Sequence, residues 1–252
     1  MHQKFYSLKS ILEKKAQYNI IIGESSNGKT CAVLKAVLKY AIERYLQTGE
    51  QLAIVRRWRD DFIGKRGATM FDALEANKEI FKLSKGKWTS VYYCASRWYL
   101  CKYVSKDIRE VDEKPFAYGF SLTSMKHDKS TSYPEITTIC FDELLTSTTY
   151  LPDEFVLFMN AISTIVRNRT NVKIFMLGNT VNKYSPYFKE MGLKHITEMQ
   201  PGDIDVYKYG ESAPAVAVEY TNLEVALLPI IRVLRVNIMN CLVRIWKILN
   251  TH

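Results

Sequence analysis

The sequence predicts an α/β domain with a mostly parallel central sheet flanked by helices. Three observations carry this expectation. Short apolar runs, "QYNIII", "QLAIV", "EITTICF" and "VKIFML", read as strands buried on both faces. Helical patterns such as "CAVLKAVLKYAIERYL" and "LPDEFVLFMNAISTIVRNR" lie between them. Strands with no polar face need helices on both sides, which is the setting of a parallel sheet. A chain of 252 residues holds one such domain with room for a small appendage.

The elements follow in order. After "QYNIII" comes a loop and then a helix whose Lys35, Lys39, Glu43 and Gln47 form one polar stripe. Gly49 supplies its stop. "QLAIV" runs into the charged cluster "RRWRDDF", and "TSVYYCASRWYLCKYV" reads as a hairpin or meander. "EITTICF" leads at once to Asp142 and Glu143. The next helix has Pro152, Asp153 and Glu154 in its first turn and Arg167 and Arg169 in its last, as the helix dipole favours. "VKIFML" is closed by Gly178 and Asn179, and "GDIDVYKYGESAPAVAVEYT" reads as a final hairpin. These elements assign residues 1–220 to one domain. Residues 221–252 form an amphipathic tail with Arg232, Arg235, Asn240, Arg244 and Lys247 on one face. The tail suits a helix docked on the core, or a membrane-surface or partner-binding helix; Pro229 and the arginines interrupt it too often for a membrane span.

The net charge of +9 favours a polyanionic partner, and nucleic acid is the commonest. Residues 203–252 carry five basic and five acidic residues, so the whole excess lies in residues 1–202. Five cysteines, an odd number without a C-x-x-C pair, read as thiols of a reducing cytoplasm and not as a zinc site. The N-terminal "MHQKFYSLKSILEKK" contains no apolar secretion signal.

The stretch "GESSNGKT" carries the chemistry. Gly23, Glu24, Ser25, Ser26, Asn27, Gly28, Lys29 and Thr30 fit the phosphate-binding pattern G-x-x-x-x-G-K-[ST], between a strand and a helix as that pattern requires. Backbone N–H groups of such a loop cradle phosphates, and the helix N-terminus adds positive potential. Lys29 is expected on the β- and γ-phosphates of ATP, and Thr30 on Mg²⁺. Asp142, delivered to the sheet edge by "ITTICF", can hold Mg²⁺, usually through water, and Glu143 is placed to orient and deprotonate the attacking water. Asn179 suits either a γ-phosphate sensor or a cap for the next helix. Arg167 suits either its own helix end or an arginine finger reaching a neighbouring subunit's phosphate.

Together these residues resemble the DNA-packaging (encapsidation) ATPases of small tailed bacteriophages. "TGEQLAIVRR", "KSTSYPEITTICFDE", "YLPDE", "RNR" and "SPYF" occur in that family's order and spacing, through most of residues 17–190. The resemblance implies a terminase-like P-loop NTPase of the additional-strand, catalytic-glutamate class. It implies ATP hydrolysis coupled to driving double-stranded DNA through a portal, or connector, into an empty procapsid. By position, Lys29 and Thr30 match the phosphate-loop residues, Asp142 the Mg²⁺ ligand, Glu143 the catalytic carboxylate and Arg167 the finger acting in trans. "VRRWRDDF" matches a segment facing the DNA channel; Arg59 is its candidate contact, with Lys65 and Arg66 behind. A solvated charge run explains the same residues.

The implied partners are DNA, the portal, and further copies of the chain in a homo-oligomeric ring, a pentamer by family. The implied place is the host bacterial cytoplasm, docked transiently on the procapsid, with no membrane contact. Participation of a scaffold RNA is left open. The chain departs from relatives in two ways. The loop interior is "ESSN", without the arginine some relatives carry there, and the resemblance stops near Thr221, where relatives continue into a nuclease-like domain. No DNA cleavage is expected, because only Glu224 follows Thr221 as an acid. Other nucleic-acid motors, of helicase or recombination type, a nucleotide-gated scaffold and a P-loop kinase remain rivals. A kinase has no need of Glu143.

Overall fold

The computed structural model describes residues 6–23, 29–105, 108–125, 132–146, 149–179, 185–208 and 215–221, with backbone only for 29–31. The tail of 222–252, including Cys241, lies outside the described residues.

A short helix, α1 (Lys9–Leu12), precedes β1 (Tyr18–Gly23), which is buried along its whole length. Successive side chains of a strand point to opposite faces. Ile20 and Ile22 accordingly enter one core and Ile21 the other. Helix α2 (Lys29–Thr48) buries Val33, Val37, Leu38, Ala41 and Ile42 along one stripe. On its polar stripe, Lys39 pairs with Glu79 at 3.2 Å. Gly49 ends it at φ +75°, its N–H bonding the Tyr45 carbonyl at 2.9 Å.

Next come β2 (Gln51–Arg56) and three short helices, α3 (Lys65–Ala68), α4 (Asp72–Ala76) and α5 (Glu79–Leu83). Strands β3 (Ser90–Cys94) and β4 (Arg97–Tyr103) form a hairpin. Its two turn residues, Ala95 and Ser96, have φ of +48° and +58°, the left-handed pair that matches the twist of a tight hairpin. The rest are β5 (Arg109–Val111), β6 (Ala117–Ser121), β7 (Ile136–Phe141), α6 (Glu154–Val166), β8 (Lys173–Asn179), α7 (Pro186–Glu190), β9 (Ile204–Tyr207) and β10 (Val216–Tyr220).

All ten strands form one sheet in the order β3-β4-β6-β2-β7-β8-β1-β10-β9, with β5 on β4. The sheet is mixed, which corrects the expectation of a mostly parallel one. From β6 to β10 the neighbours β6-β2-β7-β8-β1-β10 run parallel. Both flanks are antiparallel, because β4 turns straight back from β3 and β9 is the returning partner of β10. A tight hairpin needs no crossover, so local turn chemistry decides direction at the edges.

The helix expected over "LPDEFVLFMNAISTIVRNR" is shorter than its pattern. Asp153 and Arg167 bracket α6 with left-handed φ of +53° and +42°. Pro152, Asp153, Arg167 and Arg169 therefore lie outside it, and Arg169 serves another purpose described below.

One core cluster lies between the sheet and α6 and α7, with Phe158, Ile162, Ile165 and Tyr187 at its centre. The other lies beneath α2, α4 and α5. There Trp98 is fully buried, ringed by Phe62, Phe71 and Tyr93, and its indole N–H donates to the Gly67 carbonyl at 2.9 Å. A Cβ at Gly67 would stand 2.4 Å from the Tyr93 ring, so glycine is required there. Trp98→Ala should cost about 3–5 kcal/mol in equilibrium denaturant unfolding; a loss under about 1 kcal/mol would mean that this aromatic cluster is not a cooperative part of the core.

Candidate functional site

The six parallel strands end at one edge of the sheet, where open α/β sheets place ligands. β1 ends there at Gly23, and α2 begins at Lys29. The strand before and the helix after, which the phosphate-loop pattern requires, are thus present. Glu24, Ser25, Ser26, Asn27 and Gly28 lie outside the described residues, as do the side chains of Lys29 and Thr30. Gly23 stands in register beside Asn179, at the tip of β8. On its other side, the Thr221 N–H bonds the Ile22 carbonyl at 2.8 Å. A Cβ on Gly23 would come within 2.6 Å of the Thr221 hydroxyl oxygen. A side chain at Gly23 would therefore have to push the Thr221 hydroxyl aside.

The tip of β7 carries Asp142 and Glu143. Asp142 is buried, only 5% exposed. Its Oδ1 accepts the Glu143 N–H at 3.1 Å, and its Oδ2 accepts Arg56 Nη2 at 2.5 Å. Arg56 comes from the adjacent tip of β2. Burial works against its charge, but Asp142, Glu143 and Asp61 outweigh it and hold the guanidinium above its ordinary pKa. Glu143 has an exposed side chain and a left-handed φ of +65°. Such a conformation is costly for a residue with a Cβ and persists only where its surroundings enforce it.

Arg57 enforces it. Its guanidinium donates to the Glu143 carbonyl, through Nη1, and to the Leu144 carbonyl at 3.0 Å. It also forms a two-pronged pair with Glu154, at 2.9 Å from Nε and 2.8 Å from Nη2. Glu154, at the start of α6, is sealed from solvent and accepts further bonds from the Leu151 N–H and the Tyr187 hydroxyl, both at 2.8 Å. The rings of Phe141 and Tyr150 cover the guanidinium, at 5.7 and 5.2 Å to their centroids. Burial first, and Glu154 second, push the Tyr187 hydroxyl far above the usual phenol range. Cys140, two residues before Asp142, has its thiol driven up by burial and then by Asp142, so it is no nucleophile.

This knot was not legible as function in the sequence. "RRW" reads as a channel-facing charge cluster, yet Arg56 and Arg57 both turn to buried carboxylates. Glu154 reads as a dipole-complementing acid and is instead a fully buried ion-pair partner. The usable signal is two arginines directly after a buried strand, beside another strand ending in two acids.

The remaining candidates sit elsewhere. Arg59 opens a one-turn helix over Arg59–Phe62, and Lys65 and Arg66 lie in α3; all three are exposed. Arg167 follows the far end of α6. Arg169 beside it donates to the carbonyls of Tyr133, Pro134, Ile136, Ile165 and Val166 at 2.6–3.0 Å. Ile136 begins β7, so this cluster marks the opposite edge of the sheet from Asp142. The thirteen residues of α6 span about 20 Å between the two.

Among the described residues no three His, Cys, Asp or Glu side chains gather in a metal cluster. A single buried carboxylate, Asp142, fits an ion that draws most of its oxygens from water and phosphate, as Mg²⁺ does.

The buried pair should be essential to stability. Arg57→Met leaves Glu154 charged and uncompensated, with an expected loss of about 3–5 kcal/mol in guanidinium unfolding. Adding Glu154→Gln should recover part of it; a double variant no more stable than the single one would show that Arg57 acts through its carbonyl contacts alone.

The chain is similar to several known proteins. The family model described as podovirus DNA encapsidation protein (Gp16) matches residues 1–199. The DNA packaging protein of Bacillus phage phi29 is 27% identical over 187 residues, 73% of this chain and 49% of its own. That of Bacillus phage B103 is 30% identical over 179 residues, 69% of this chain and 48% of its own. The chain therefore spans about half the length of the curated relatives it matches. Its fold is similar to the crystal structure of the N-terminal domain of the DNA packaging ATPase from bacteriophage phi29, with TM-score 0.67 at 23% identity, covering 88% of this chain and 99% of that one. The Phi-28 gp11 DNA packaging motor is similar with TM-score 0.63 at 19% identity, covering 90% of this chain and 62% of that one. The match over residues 1–199 settles the family: the chain belongs to the podovirus DNA encapsidation protein (Gp16) family.

Proposed function

We propose that this chain is the ATP-hydrolysing motor domain that drives double-stranded DNA into a preformed procapsid. One observation supports it above all. Asp142 and the exposed Glu143 are clamped at the same sheet edge as Gly23 and the start of α2, in a chain of the encapsidation family.

On this reading residues 23–30 form a P-loop that wraps the triphosphate of ATP, with Lys29 on the outer phosphates. Thr30 and Asp142 hold Mg²⁺, which neutralises phosphate charge when bound. Glu143 accepts a proton from the attacking water, and the Arg57 grip on its carbonyl fixes where that carboxylate starts. Asn179, one strand from Asp142 and in register with Gly23, reports the state of the γ-phosphate. Arg167, about 20 Å from its own Asp142 edge, serves the site of the next subunit. The exposed Arg59, Lys65 and Arg66 face DNA, and the working form is a ring, a pentamer by family, docked on the portal in the host cytoplasm. The relatives whose structures are packaging motors favour such an assembly.

Lys29→Ala should weaken ATP binding by removing a charge-assisted contact. Glu143→Gln should bind ATP normally and turn over about 10²- to 10⁴-fold more slowly. Calorimetric affinity and steady-state hydrolysis, with and without double-stranded DNA, separate the two effects; near-normal turnover in Glu143→Gln would remove that residue from the chemistry. DNA binding should ignore sequence and fall steeply with salt, and Arg59→Ala should reduce the salt slope. A salt-independent, sequence-selective complex would contradict a backbone-tracking motor.

Arg167→Ala should keep ATP bound and abolish hydrolysis. Mixing it with Glu143→Ala subunits should restore activity, since some interfaces regain both groups. Full turnover by Arg167→Ala alone would return the residue to a helix-end role.

A further inference from the structure

The Asp142 carboxylate, assigned above to Mg²⁺, is already paired with a cation of this chain. Arg56 Nη2 stands 2.5 Å from its Oδ2, both side chains are largely buried, and Oδ1 is occupied by the Glu143 N–H. A guanidinium at that distance and a divalent cation compete for one carboxylate oxygen, because their charges repel across a few ångströms of poorly solvated protein. We propose that Arg56 is a resident stand-in for the metal, holding Asp142 while the nucleotide site is empty and displaced by the divalent cation that enters with the nucleotide.

Three features support a resting contact that is made to be exchanged. An isolated buried carboxylate is costly, so Asp142 needs a counter-charge whenever metal is absent. Arg56 supplies it from the next strand, whose Val55 carbonyl accepts the Asp142 N–H at 3.3 Å. Yet Arg56 is not fully satisfied there. Its Nε is buried without a hydrogen-bond partner among the described residues, unlike Arg57, whose Nε and both terminal nitrogens are bonded. An orphaned buried donor is rare and asks for a reason. Finally, Arg56 also lies in the field of Glu143 and Asp61, one exposed and one half-buried, which offer the displaced guanidinium other carboxylates.

The two neighbouring arginines thus have opposite duties. Arg57 is bonded on all sides and fixes the loop. Arg56 is a positioning residue that acts through Asp142 and sets how readily the metal is taken up. Its pairing reduces the fraction of molecules ready for metal and so weakens apparent affinity.

This inference rests on the nucleotide-site reading above, and its test needs no turnover. Mn²⁺ binding to the ADP-saturated protein is followed by electron paramagnetic resonance, for the native chain, Arg56→Gln and Arg56→Lys. Removing the competitor should tighten Mn²⁺ binding roughly five- to tenfold in Arg56→Gln, with a smaller gain in Arg56→Lys. In an Asp142→Asn background, Arg56→Gln should change nothing. Circular dichroism establishes that each variant is folded, and Arg56→Lys decides if Arg56→Gln is not. Unchanged or weaker Mn²⁺ binding in folded variants would overturn the exchange and leave Arg56 a purely structural partner. Failure of the native chain to bind ADP at all would instead remove the nucleotide site itself.

Discussion

Glu154 is a carboxylate with no access to water, and most of the site's geometry follows from how its charge is satisfied. Arg57 meets it with two nitrogens, and the Tyr187 hydroxyl and the Leu151 N–H complete the set. Each donor comes from a different part of the chain: the end of β2, α7, and the approach to α6. A buried ion pair of this kind adds little net stability against an apolar core, but losing one partner is severe. Its value here is geometric. Four segments can meet only one way around a satisfied carboxylate, and the remaining Arg57 donors then fix the carbonyls of Glu143 and Leu144. Glu143 is held in a left-handed conformation by that grip.

Much of the fold was legible in the sequence, for reasons that also mark the limits. β1, β7 and β8 are apolar on both faces because the sheet is covered on both, so their runs stand out without any period. Gly49 and the Ala95-Ser96 turn are local events and leave local traces. Strand order is not local. β7 and β8 slot between β1 and β2, and β10 returns to the free side of β1. Nothing in a single apolar run says which neighbour it will find, so the two hairpins were legible as local turns but their places at the flanks of the sheet were not.

The site divides the same way. Gly23, Asp142, Glu143 and Asn179 sit at strand tips, where a pattern of apolar run plus polar residue points directly at the shared edge. Arg57 and Glu154 are 97 residues apart in sequence, and each alone resembles an ordinary surface charge. Only their mutual burial reveals them. Arg169 shows the converse: read as a helix-end charge, it does cap the last carbonyls of α6, and it also gathers the start of β7. Local electrostatics named its chemistry but not its reach.

The two ends of α6 are therefore fastened to opposite edges of the sheet. Glu154 anchors one end beside Asp142, and Arg169 anchors the other at the first residue of β7. A helix of thirteen residues between two such anchors behaves as a strut about 20 Å long. Arg167 sits just past the second anchor, in a left-handed turn outside the helix. An arginine side chain extends well short of 20 Å, so Arg167 does not reach its own Asp142 edge. If it acts on a nucleotide, that nucleotide belongs to another copy of the chain. In the proposed ring, the strut then carries a mechanical consequence. On that proposal, a shift at one subunit's Asp142 edge would reach, through Arg57, Glu154 and α6, the arginine proposed to complete the next subunit's site.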